Sequence, residues 1–136
     1  MKTTFSSFLI ITTFLFGCRA TKLSPELCLA MRTGHFTRNL YNSSGLGHWT
    51  HVVVQIVRKE NEQIERMDYT NTTTTYEVKW LNACEYSLTI LTPKTWADSV
   101  FVKMNPKGEK HSIKNITSDY VLEQVSGSTD TLWFRK

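Results

Sequence analysis

The 136-residue sequence has no apolar run long enough to cross a bilayer, no dense block of Lys or Arg, and only three cysteines. A membrane-spanning helix needs ~20 apolar residues, and the longest greasy stretch, Phe5 to Phe16, falls short of that. A net charge of +4 spread along the chain does not imply a nucleic-acid partner. There is no Gly-x-Ser-x-Gly motif for a serine nucleophile and no Gly-rich nucleotide loop. Neither Cys28 nor Cys84 has a second Cys or a His at ligand spacing, so no metal is expected and no cofactor is implied. What is present suffices for a packed core: 40% of the residues are hydrophobic and 12% aromatic, in a length that allows one domain.

The N-terminus has the proportions of a secretory signal. Lys2 supplies a short positive region and Phe5–Phe16 an apolar one. They end in Leu15-Phe16-Gly17-Cys18, which resembles a bacterial lipobox, although Phe16 is bulkier than the small residue usual at that place. The expected organisation is a signal peptide over 1–17, a lipidated Cys18 with its tether over 18–23, and one domain over 24–136. Several acyl chains on Cys18 would anchor the chain firmly where one would not. The alternative is an ordinary cleaved signal that leaves Cys18 as a pairing thiol. With Cys18 lipidated, Cys28 and Cys84 most simply form one disulfide in an exported domain; the alternative is two separate buried thiols.

Ser24-Pro25-Glu26 is a helix-start signal, with Leu23, Leu27 and Met31 on one face of a turn or two and Gly34 as the stop. Beyond Gly34 the pattern is β. Strands are expected at His35–Tyr41, His48–Arg58, Gln63–Tyr69, Thr74–Leu81, Cys84–Leu91, Phe101–Asn105, Ser112–Ile116, Tyr120–Val125 and Thr131–Phe134. Asn82-Ala83 is a candidate two-residue hairpin turn. On the second strand Val52, Val54 and Ile56 share a face; on the fifth, Cys84, Tyr86, Leu88 and Ile90 do. No ten-residue helical pattern separates the strands, so parallel crossovers are not expected. The fold class is all-β: an antiparallel meander of eight or nine strands, closing into a small barrel or coiled sheet. A two-layer sandwich is the alternative.

Three fragments carry a resemblance: Cys28 with Arg32-Thr33-Gly34-His35-Phe36, Arg58 with Ile64-Glu65-Arg66, and Tyr76 through Val78-Lys79-Trp80 to Cys84-Glu85-Tyr86. Together they are similar to a family of small uncharacterised lipoproteins of flavobacteria and relatives. The Trp80/Cys84/Tyr86 spacing is the most specific part. The resemblance implies a lipocalin-like or calycin-like β fold and the Cys28/Cys84 pair, and supplies no catalytic residue. Some members carry the label DNA topoisomerase IV. An exported chain of this length without a nucleotide loop does not fit that label.

Other clusters have plain structural readings. His48 and His51 are three apart on a strand and point to opposite faces, so they cannot converge on one ion; the histidines read as solvated strand ends. Glu60, Glu62, Glu65 and Asp68 lie among Arg58, Lys59 and Arg66 and read as cross-strand pairs on a wet face. Ser43-Ser44-Gly45 and Ser126-Gly127-Ser128 read as turns. Phe36, Tyr76, Trp80, Tyr86 and Phe134 fall at inward positions: they line a cavity for a small apolar ligand or fill a core. Trp96 is placed in a loop, and Trp49 and Trp133 on outer faces. The chain therefore reads as a non-enzymatic lipoprotein of the cell envelope, held to the outer membrane by its N-terminal lipid and facing the periplasm. No acidic run follows Cys18. Its protein partner is not legible, and the alternative is a carrier of a small apolar ligand.

Overall fold

A computed structural model of the chain describes residues 23–43 and 49–135, with side chains at 41–43 and 49–51 left out. The signal region, Cys18, the tether up to residue 22 and His48 lie outside the described residues. The elements run α1 (Pro25–Ala30), β1 (Gly34–Ser43), β2 (Trp49–Arg58), β3 (Glu62–Met67), β4 (Thr72–Trp80) and β5 (Glu85–Ile90). They continue as α2 (Trp96–Met104), β6 (Glu109–Ile116), β7 (Tyr120–Val125) and β8 (Ser128–Phe134). Each strand pairs with the next, and β8 pairs with β1 through Phe36–Phe134 and Arg38–Leu132, so the antiparallel meander closes into a barrel. Closure leaves no edge strand among the described residues to template aggregation.

The alternation read from the sequence holds through the barrel. On β2 the buried positions are Val52, Val54, Ile56 and Arg58; on β5 they are Tyr86, Leu88 and Ile90 with Ser87. Phe36, Val54, Ile56, Ile113, Val121 and Leu132 pack with Cys28 into the main apolar cluster, and Val78, Tyr86 and Leu88 form a second. Ser126 and Gly127 both take positive φ, 47° and 86°, and join β7 to β8 as a two-residue turn. That geometry matches the right-handed twist of the flanking strands.

Four expectations need correction. Phe101–Asn105 is not a strand: Phe101 to Met104 form the last turn of α2, and Asn105 is its C-cap. Thr95 caps that helix through Asp98 N, and the Asp98 side chain returns to Thr95 N, a reciprocal arrangement that satisfies two orphan donors. Trp96 accordingly begins a helix and not a loop. Asn82-Ala83 is not a two-residue turn either. The last β4–β5 pair is Trp80–Tyr86, and Asn82 Oδ1 accepts from Cys84 N within a wider loop. Flanking α1, Leu23 and Met31 pack against the core, but on the helix Leu27 faces out and Cys28 faces in.

The antiparallel order sorts the connections to two ends. The α1 end holds α1 and the β2–β3, β4–β5 and β6–β7 connections; the α2 end holds α2 and the β3–β4 and β7–β8 turns. Cys28 and Cys84 are joined at the α1 end and fasten the helix over the barrel. The bridge spans 56 positions, and in the chain-entropy account a loop of that size stabilises by about 4 kcal/mol. Replacing both cysteines by Ala should lower the urea midpoint by an amount equivalent to a few kcal/mol; an unchanged midpoint would contradict the bridge's assigned role.

Candidate functional site

The inward face of an eight-stranded barrel is just wide enough to be filled by side chains, and here much of the filling is charged. Arg58 ends the inward row of β2 and is 2% exposed. Gln63 and Glu65 occupy inward positions of β3, His111 one of those of β6 and Glu123 one of those of β7, all buried. They lie beside one another because strand registers set them there: Arg58 pairs with Gln63, and Tyr86 with His111.

Arg58 is the hub. Its Nε donates to Gln63 Oε1 at 2.7 Å, Nη2 to the Tyr86 hydroxyl at 2.5 Å, and Nη1 to Glu123 Oε1 and Met31 O at 3.4 Å. The guanidinium also stacks 4.5 Å from the Tyr86 ring centroid and 5.2 Å from that of Phe36. Tyr86 donates in turn to Glu123 Oε2 at 2.7 Å, and His111 Nδ1 lies 3.4 Å from the same oxygen. The His111 and Tyr86 rings are stacked at 4.9 Å. From Gln63 a second arm runs to Glu65 (2.7 Å), from Glu65 to Arg38 (2.8 Å) and on to Asp130 (3.1 Å). One polar chain thus runs from Met31, at the α1 end, to Asp130 near the α2 end.

Two sequence expectations fail here for one reason. Glu65 and Arg58 are not on a wet face, since both take the inward phase of their strands. His111 is not a solvated strand-end histidine but 3% exposed. Nothing in its local composition marks Glu123. The overlooked signal was parity: each of these residues sits two positions from an inward apolar one, as Arg58 does from Ile56, His111 from Ile113 and Glu123 from Val121.

Burial opposes the charge on Glu123, but Arg58 and then His111 outweigh it and hold its carboxyl below the ordinary 4.5. Burial likewise opposes protonation of His111, yet Glu109 and Glu123 prevail and raise it above 6.5. Nε2 of His111 is 3.7 Å from Glu109, an ion-pair distance too long for a hydrogen bond. Burial pushes the Tyr86 hydroxyl well above its ordinary value, so it remains a donor to Glu123. The network therefore stores charge in compensated pairs and can hold a proton at His111.

The five aromatic cavity candidates pack into the barrel's two apolar clusters: Phe36 with Phe134 and Trp80, and Tyr86 with Tyr76 and Trp80. Phe36 and Tyr86 are 1% and 0% exposed, so each is walled in by neighbours. Phe36 packs on Phe134 at 5.7 Å and Tyr86 on Trp80 at 4.8 Å. Tyr76 lines a groove of about 630 Å³ at the α2 end, together with Thr72, Thr74, Lys94 and Asp98. A more apolar groove of about 440 Å³ lies beside α2, walled by Trp96, Val100, Phe101 and Met104. Among the described residues, no group of three or more His, Cys, Asp or Glu is arranged to hold a metal ion. No protein-family model, curated protein or solved structure matches the chain.

The two shifts fix the sign of the pH dependence. The depressed Glu123 contributes stability above the ordinary carboxylate value of 4.5, lost as pH falls through its lower folded value. The raised His111 contributes stability below the ordinary 6.5, lost as pH rises through its higher folded value. Stability should therefore be greatest between pH 4.5 and 6.5 and decline from 6.5 upward. Glu109→Gln should reduce that alkaline decline and lower the His111 titration midpoint seen by NMR. A stability that climbs from pH 6.5 to 8.5 would contradict the assignment.

Proposed function

We propose that this chain is a non-enzymatic lipoprotein of the cell envelope. It is moored in the outer membrane by acyl chains on Cys18, and its barrel faces the periplasm in a structural or partner-binding role. The Cys28–Cys84 disulfide carries the reading, because such a bridge persists in an oxidising compartment outside the cytosol. The signal-like residues 1–17 supply the export route and the lipobox-like Leu15–Cys18 the anchor. The non-catalytic part is supported by the interior, where the charged groups that could act as acid or base compensate one another. The modest charge of +4, without a basic block, gives no footing for nucleic acid.

A second reading, the carrier of a small apolar ligand, is favoured by the groove beside α2, which Trp96, Val100, Phe101 and Met104 wall. In this reading the ligand sits outside the barrel, since Phe36 and Tyr86 occupy its interior.

Labelled palmitate should enter the wild-type chain and fail to enter Cys18→Ala, with the wild type partitioning into the membrane fraction. Equal labelling of both, or of neither, would contradict the anchor. Native mass spectrometry of the same preparation should give the mass of the acylated chain alone, whereas an additional lipid-sized mass would favour the carrier.

A further inference from the structure

We infer that the α1 end of the barrel is a docking face for the bilayer surface in which Cys18 is anchored, an inference that rests on the anchor proposed above. Leu27 and Leu29 on α1 and Leu81 in the β4–β5 loop are 48%, 46% and 49% exposed. They stand on the two segments that the Cys28–Cys84 bridge ties together, so one rigid end of the barrel carries all three.

The occupant follows from chain length. Five peptide steps separate Cys18 from Leu23, a reach of about 17 Å at full extension. Ten-residue strands such as β2 run about 33 Å, which at a tilt of 35–45° makes a barrel roughly 25 Å tall. An acyl anchor at Cys18 therefore brings the α1 end to the membrane and holds α2, with its 82%-exposed Trp96, away from it. Tethering also supplies the surface at high effective concentration, so three leucines suffice where a free protein would need a larger patch.

Three ion pairs answer charges near this end, while Glu26, Lys79 and Lys114 have no ion partner among the described residues. Arg32 faces Glu60 at 3.7 Å, Lys59 meets Glu62 at 3.0 Å and Lys110 meets Glu85 at 3.0 Å. The contact is therefore apolar in character, with the leucines entering the headgroup boundary. With one acid and two lysines left over, it should depend only weakly on lipid charge and salt.

The test is amide hydrogen exchange by mass spectrometry. It compares full-length acylated protein on phosphatidylcholine vesicles, and on vesicles with added phosphatidylglycerol, with unacylated Cys18→Ala protein in solution. Exchange over residues 25–31 and 81–85 should slow by about threefold or more on both vesicles, and that over 96–104 should not change. A Leu27→Ser, Leu29→Ser, Leu81→Ser variant should keep its acyl mass, its disulfide and its 96–104 exchange while losing the protection. Unprotected α1 in protein of confirmed acyl mass would overturn the docking face. So would protection that moves to 96–104, or that tracks dimer formation in sedimentation. Absence of the acyl mass would instead strike the anchor itself.

Discussion

A guanidinium taken out of water must find acceptors on every side, and in this barrel Arg58 finds them on four different elements. Gln63 comes from β3, Tyr86 from β5, Glu123 from β7, and the Met31 carbonyl from the residue that caps α1. A buried charge with a missing partner costs several kcal/mol, so these contacts stand or fall together. The consequence is geometric specificity. Only the observed registers bring β2, β3, β5 and β7 to Arg58 at once, and a one-residue slip of any strand would turn its polar partner outward. An interior of aliphatic residues alone could stabilise as much, with fewer constraints on which strand lies where.

The same residues explain why the interior is occupied. Arg58 lies against the rings of Phe36 and Tyr86, and His111 stacks on Tyr86 as well. Side chains that elsewhere could wall a cavity here enclose a charge. What surface remains for recognition lies on the outside and at the ends: the leucine-bearing α1 end, fixed by the disulfide, and the grooves around α2.

The sequence made the barrel legible because its code is a period of two. Val52, Val54 and Ile56 form one buried row on β2 and Tyr86, Leu88 and Ile90 another on β5, and each row is legible as a shared face. The Ser24-Pro25 helix start and the Cys28/Cys84 pair were also legible, since each is a local or combinatorial signal. The polar hub is not, because its charged composition masks its phase. Glu65 and Arg58 lie near the charged Lys59-Glu60-Asn61 turn, and that composition suggested solvent although their parity pointed inward. α2 is masked in the opposite way. Phe101-Val102-Lys103-Met104 has the composition of a strand, while the Thr95/Asp98 capping box and the spacing of Trp96, Val100 and Met104 carry the helix.

A double-mutant cycle between the two most deeply buried charges addresses the central claim directly. Arg58→Met and Glu123→Leu each strand the other's charge, and each alone should cost about 3–5 kcal/mol in urea unfolding. Because the double variant strands neither, it should be more stable than the sum of the two losses allows, by at least about 1 kcal/mol. Strictly additive losses would mean that Arg58 and Glu123 do not answer one another inside the barrel, and the account of the interior would fail.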